Sequence, residues 1–248
     1  MIHYHGSPIT PETDAARILV GRHAMVSFAH PEQLPLVSQI CQSFSLDNGA
    51  FSAWRGGKPI TKWNEYYEWV ALWRKHPGFD FALIPDVIDG TEDDNNTLIA
   101  HWPHGATAGC PIWHLHESLQ KLARLCEFWP RVALGSSGEY AVIGTSRWAN
   151  RMSEAMNSVC PYGSPKAKLH GLRMLDPKVF QMYPFSSADS TNVARNIGID
   201  SRWKGTYTPH SKSVRGIVLA ERIEAHQSSS EWNPAMTQPS MEFEEAIQ

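Results

Sequence analysis

The chain has 248 residues, 42% of them hydrophobic and 10 of them tryptophan, enough for one large α/β core or two small ones. Its net charge of −3 argues against a protein that coats DNA without regard to sequence, because such binding neutralises many phosphates. No apolar run approaches the roughly 18 residues of a membrane span, the opening Met1-Ile2-His3-Tyr4-His5 lacks the pattern of a secretory leader, and Cys41, Cys110, Cys126 and Cys160 form no CxxC pair. A soluble, cytoplasmic protein with reduced thiols and no membrane partner is expected.

In chain order, short apolar or β-branched runs fall at residues 2–5, 23–29, 44–47, 79–87, 111–116, 131–135, 168–174 and 184–188. Between and after them lie helical starts or periodicity at 11–19, 31–42, 61–75, 91–102, 117–129, 147–159, 176–182 and 191–197. In the third of these, Tyr66, Trp69, Val70 and Trp73 recur at i, i+3, i+4 and i+7, while Lys62, Glu65, Glu68 and Lys75 lie largely off that stripe. Eight strand and helix units in strict alternation predict a parallel sheet closed into a (β/α)8 TIM barrel over residues 1–212. No GxGxxG follows the first strand, so a dinucleotide fold has little support. Residues 213–227 predict a final helix, and 228–248 read as a polar, acidic, mobile tail.

A parallel barrel keeps its chemistry at the C-terminal ends of its strands. Those ends are expected to gather His3 and His5, Asp47, Asp86, His114 and His116, Gly135-Ser136-Ser137, His170 and Asp189. Any one aspartate after a strand serves equally well as a helix N-cap, so the functional reading rests on the set converging. His114 and His116 are two apart and should share a face.

Leu46-Asp47-Asn48-Gly49-Ala50-Phe51 resembles the Asp-Ser-Gly-Gly-Phe motif of tRNA-guanine transglycosylases, and residues 185–196 resemble the segment carrying their nucleophilic aspartate. Ile84-Pro85-Asp86, Ile112-Trp113-His114, Val132-Ala133-Leu134-Gly135-Ser136 and Leu169-His170-Gly171 are similar to the remaining base-pocket strands of that family, in the same order. Those tRNA enzymes are longer and carry a zinc site of three cysteines and a histidine after the nucleophile, whereas this chain has no cysteine beyond Cys160. A compact form without the zinc module resembles the DpdA-type branch, phage and bacterial enzymes that place 7-deazaguanines into DNA. His3-Tyr4-His5-Gly6-Ser7-Pro8 and Trp113-His114-Leu115-His116-Glu117-Ser118 also look like that branch.

The resemblance implies exchange of guanine in DNA for a 7-deazaguanine of the preQ0 or preQ1 type, with no cofactor and no metal, in the host cytoplasm if the gene is a phage's. Asp189 would be the nucleophile on C1′ of the deoxyribose and Asp47 the acid and base. Asp86, His114, Gly135 and Ser136 would contact the base, with Phe51 on one of its faces and His170 on the other. The guanine would have to be flipped or single-stranded, and an accessory protein or helicase is a plausible partner. Arg195, Lys166, Lys168, Arg202, Lys204, Lys212 and Arg215 are candidates for holding phosphates, although solvated lysines and arginines are commoner. Three alternatives stand beside this reading. One is a tRNA-guanine transglycosylase. A second is a metal-dependent amidohydrolase-type barrel using His3-x-His5 and Asp189 as ligands. The third is a non-catalytic barrel that binds DNA or a partner.

Overall fold

The computed structural model describes residues 1–198, 203 and 207–234. Nine strand segments make one all-parallel sheet: β1 (Ile2–Gly6), β2 (His23–Ser27), β3 (Ser43–Asp47), β4 (Phe79–Leu83), β5 (Gly109–Cys110), β6 (Ile112–His114), β7 (Arg131–Gly135), β8 (Lys168–Gly171) and β9 (Phe185–Ser190). Their order is β5-β4-β3-β2-β1-β9-β8-β7-β6. The two ends of that ladder, β5 and β6, are consecutive in the chain and separated only by Pro111, which has no N–H to give a ladder. Its carbonyl accepts from Ala133 N at 2.9 Å, so the sheet comes round on itself and β5 with β6 acts as one barrel strand.

Ten α-helices of the described residues surround it: α1 (Glu12–Leu19), α2 (Leu34–Ile40), α3 (Ala50–Arg55), α4 (Asn64–Trp73), α5 (Glu92–Ala100), α6 (Leu119–Phe128), α7 (Ser146–Val159), α8 (Pro177–Phe180), α9 (Asn192–Asn196) and α10 (Lys212–Glu224). The side-chain period of two sorts each strand into an inner and an outer set. Tyr4, Met25, Phe81, Leu83, Cys110, Ile112 and Ala133 fill the barrel. Val26, Leu46, Ile84, Trp113, Leu134 and Ala188 face the helices in the larger core. Each fully buried large side chain contributes about 1.5–3 kcal/mol of transfer free energy. Thr91, Ser118, Thr145 and Ser211 cap α5, α6, α7 and α10 through their hydroxyls, which accept the orphan amides of the first turn.

The structure departs from the sequence reading in places. β4 ends at Leu83 and β8 at Gly171, so 84–87 and 172–174 are loop, and α3 has no counterpart among the expected helices. Residues 228–234 do not behave as a free tail. Ser228 donates to Phe185 O at 2.7 Å, Trp232 Nε1 donates to Asn157 Oδ1 at 2.7 Å, and the indole stacks on Tyr183. Residues 235–248 lie outside the described part. No helix among the described residues is long and apolar enough to cross a membrane.

Candidate active site

The C-terminal strand ends open into a cleft of about 760 Å³, a size suited to a nucleoside-scale ligand. Asp47, Phe51, Asp86, His114, Gly135 and Asp189 all line it.

The turn after β3 is built by its own side chains. Gly49 has φ 78° and takes the left-handed position that starts α3, which brings Phe51 to the cleft. Asn48, 2% exposed, accepts from Ala50 N at 2.8 Å and donates to Ile84 O at 2.9 Å and Asp86 Oδ1 at 2.8 Å. That one amide ties the β3 turn to the β4 loop and fixes Asp86. The other oxygen of Asp86 meets His114 Nε2 at 2.9 Å. His114 Nδ1 lies 3.3 Å from Ser137 Oγ, and His116, exposed, stacks on the His114 ring. Polar groups thus run Asn48, Asp86, His114, Ser137 across the floor, a network whose donors and acceptors are mutually satisfied.

Beneath that floor a second network holds the β6–α6 connection. Glu117 Oε2 accepts from His114 N at 2.9 Å, and its Oε1 accepts from Lys121 Nζ at 2.6 Å and Asn95 Nδ2 at 3.0 Å. Gly135 is closely packed: a Cβ there would stand 3.0 Å from His114 Nδ1 and 3.2 Å from Ile112 Cγ2, so any side chain would need those neighbours to give way.

Asp47 Oδ2 accepts from Gly49 N at 3.3 Å. Burial, reinforced by the charges of Asp189 and Asp86, pushes its carboxyl up to about 6 against the opposing Ser27 hydroxyl and Gly49 N–H. Asp189, with its side chain 13% exposed, accepts from Arg173 N at 3.0 Å through Oδ1. Arg173 has φ 59°, a left-handed conformation rare for a side-chain-bearing residue, and it turns that N–H onto the carboxylate.

Three sequence expectations, for His170, His3 and His5, are corrected by this geometry. His170 does not line the cleft: it is fully buried in the barrel, its ring edge-on to Phe81 and Tyr4. Arg173 lies over Phe51 instead, its guanidinium carbon 4.4 Å from the ring centroid. Ser136 lines the cleft as expected of it; its hydroxyl accepts from Trp148 Nε1 at 2.8 Å and its carbonyl accepts from Arg173. His3 and His5 point away from Asp189. In β1 it is Tyr4, paired in register with Asp189, that faces inward, while His5 Nε2 meets Glu224 Oε1 at 2.8 Å and His3 Nε2 meets His226 O at 2.9 Å on the outer side. The metal-ligand set imagined for an amidohydrolase is therefore not assembled by these residues.

The basic residues also sort differently. Arg195 lines the cleft. Lys168 opens β8 at the opposite end of the barrel, and Lys166 pairs with Glu127 at 2.5 Å. Arg215 is buried, donating to Ile197 O and to the carbonyls of Pro209 and His210, and Lys212 does not line the cleft. Arg202 and Lys204 lie outside the described residues. Residues that the sequence did not single out are Arg55, Arg173 and Leu172, all cleft-lining. Asn48 entered that reading only as part of a motif.

No family model matches the chain, and no curated protein does. Among solved structures it is similar to a mutant tryptophan synthase alpha-subunit from the hyperthermophile Pyrococcus furiosus, at 10% identity over 91% of this chain and 97% of that chain, with a TM-score of 0.56. At that identity the likeness speaks to the fold, and the chain is a TIM-type α/β barrel.

Proposed function

We propose that this protein is a DNA-guanine transglycosylase that exchanges guanine for a 7-deazaguanine, in the manner of the DpdA-type enzymes its motifs resemble. The observation that carries the reading is the meeting of Asp47 and Asp189 in one cleft floored by Asp86 and His114. Asp189 is held in place by a backbone N–H, and Asp47 is poised to change protonation near neutrality.

Asp189 attacks C1′ of the deoxyribose, forming an ester to that carbon as the bond from C1′ to N9 breaks. Asp47 gives its proton to the leaving guanine, and an acid whose carboxyl is raised to about 6 is matched to that transfer near neutral pH. The incoming deazaguanine then surrenders its N9 proton to Asp47 and attacks C1′, expelling Asp189 as carboxylate. Two displacements preserve the configuration at C1′.

Asp86 keeps lone pairs beyond those used by Asn48 and His114, and they would take the donor edge of the base. The Phe51 ring lines the cleft and offers an aromatic surface on which a base can stack.

The test is incubation with guanine-containing DNA and, separately, with tRNA, each with labelled preQ0 or preQ1, followed by mass analysis of digested nucleosides. Label entering DNA, and lost with Asp189→Ala, is the expected result. Label entering only tRNA would keep the chemistry and change the substrate. Label in neither would remove the reading.

A further inference from the structure

Phe51 carries two cations. The guanidinium carbon of Arg173 lies 4.4 Å from its ring centroid and that of Arg55 lies 6.0 Å away, both within cation–π range. Both side chains line the mouth of the cleft, as does Arg195 from α9. Arg173 uses one N–H on Ser136 O. Among the described residues no carboxylate lies within ion-pair distance of any of the three, and the Arg55 and Arg195 side chains, both exposed, make no hydrogen bond.

The cleft is therefore zoned. Its carboxylates sit on the floor, where Asp86 is engaged by Asn48 and His114 and Asp189 by the Arg173 backbone. Its arginines line the same cleft without a direct ion pair among the described residues, Arg173 feeling the Asp189 charge on one side and the Arg55 charge on the other, and two of them share one ring. Like charges gathered in this way repel, as Arg55 and Arg173 do, and an anion placed between them relieves that repulsion and gains charge-assisted hydrogen bonds from two planar forks. Guanidinium groups are suited to phosphate oxygens in particular.

We propose that Arg55 and Arg173, assisted by Arg195, form a phosphate clamp for the sugar-phosphate chain on either side of the nucleotide whose base enters the cleft, and that the chain is single-stranded DNA. The identity of the polymer rests on the function proposed above; the clamp itself rests on the arginines. A site of this kind adds affinity without sequence information. It also explains how a chain of net charge −3 holds a polyanion: the positive charge is local.

The experiment is fluorescence anisotropy of a labelled single-stranded oligodeoxynucleotide containing one guanine, titrated at several KCl concentrations from about 50 to 200 mM, with an RNA of the same sequence as a second arm. For single strands each phosphate contact contributes about 0.7 to the slope of log K against log salt. Arg55→Gln and Arg173→Gln are each expected to reduce the slope on DNA by about 0.7 and the double variant by about 1.4, while Arg173→Lys keeps most of it. Arg173→Gln retains the backbone N–H that holds Asp189, and thermal melts of each variant verify folding. An unchanged slope in a folded double variant overturns the clamp, and so does a loss confined to RNA. The two proposals fail separately. Altered slopes without base exchange by the wild type would sink the transglycosylase reading and leave the clamp standing, whereas exchange with unaltered slopes would do the reverse.

Discussion

The Nε2 of His170 lies 3.4 Å from Oδ1 of Asp189, at the end of a line of polar groups that crosses the barrel interior. Asp80 holds Arg131 at 2.9 and 3.1 Å, Arg131 donates to Ser187 Oγ at 3.2 Å, and Ser187 Oγ lies 2.9 Å from His170 Nδ1. Because Ser187 accepts from Arg131, the assignment that uses its one proton sends that proton to Nδ1. His170 is then protonated on Nε2, the atom facing Asp189. Nε2 has no partner in full hydrogen-bond geometry, so this is a close approach to the carboxylate rather than a completed bond.

Burial pushes the His170 imidazole below its ordinary 6.5, against the raising effect of Asp189, and the neutral ring is the form that fits. The unfolded chain takes up the extra proton first, so this contribution to stability is whole above about 6.5 and is lost as pH falls below it. His170→Gln is expected to flatten part of the fall in Tm between about pH 7.5 and 5.5, measured by calorimetry. His170→Phe should lower kcat for base exchange with little change in KM, and His170→Gln should restore some of it. Equal kcat in both variants and wild type would show that His170 only fills space.

Asp47 carries the opposite sign. Its carboxyl rises from 3.8 unfolded to about 6 folded, so the folded chain holds the proton more tightly. The associated stability is present below about 3.8 and is lost as pH rises through 6. At about 1.4 kcal/mol per unit, ionising Asp47 costs the fold on the order of 3 kcal/mol at neutral pH. Asp47→Asn should therefore stabilise the protein in urea melts, more at about pH 7.5 than at about pH 4.5, while reducing turnover by about 10²- to 10⁴-fold. A variant less stable than wild type at the higher pH would mean that the carboxylate is a structural acceptor.

The alternation of β and α segments was legible because most outward strand residues are apolar and the helices carry their own caps and stripes. Asp47, Asp86, His114 and Asp189 were legible for a related reason: each stands where an apolar run gives way to a turn. His3 and His5 misled because a five-residue strand offers too few positions to set its phase. Tyr4 is aromatic and could face either way, and only its register against Asp189 shows that it is the inward residue. His170 is on the inward phase yet sits a layer below the mouth, a depth that strand parity does not encode. Arg173 could not be foreseen, since its place depends on a left-handed residue after β8 and on Phe51, far away in sequence.

The floor of the cleft depends on a buried ion pair that never touches it. Glu117 and Lys121 are 3% and 1% exposed, and Glu117 also holds the backbone N–H of His114. Removing one partner strands the other as an uncompensated charge, so Lys121→Met is expected to cost about 3–5 kcal/mol in chemical denaturation. Adding Glu117→Gln to that variant neutralises the stranded carboxylate and should recover a good part of the loss. Additive losses in the double variant would show that the two side chains act independently.

Gly135 tests the floor from the other side. A methyl group there meets His114 Nδ1 at 3.0 Å, closer than carbon and nitrogen rest in contact, while the ring cannot retreat freely because Nε2 is bound to Asp86 at 2.9 Å. Gly135→Ala should cost about 1–3 kcal/mol as an overpacked site and tilt His114 away from the position in which it presents Asp86. Loss of a contact that serves ground state and transition state alike raises KM and spares kcat. The expected signature is weaker binding of the free deazaguanine by calorimetric titration, with the rate at saturating base close to that of the wild type. His114→Ser removes the ring that the methyl strikes, so Gly135→Ala on that background should cost much less stability. A full penalty in the double variant would assign the crowding to Ile112, at 3.2 Å, and free His114 from the argument.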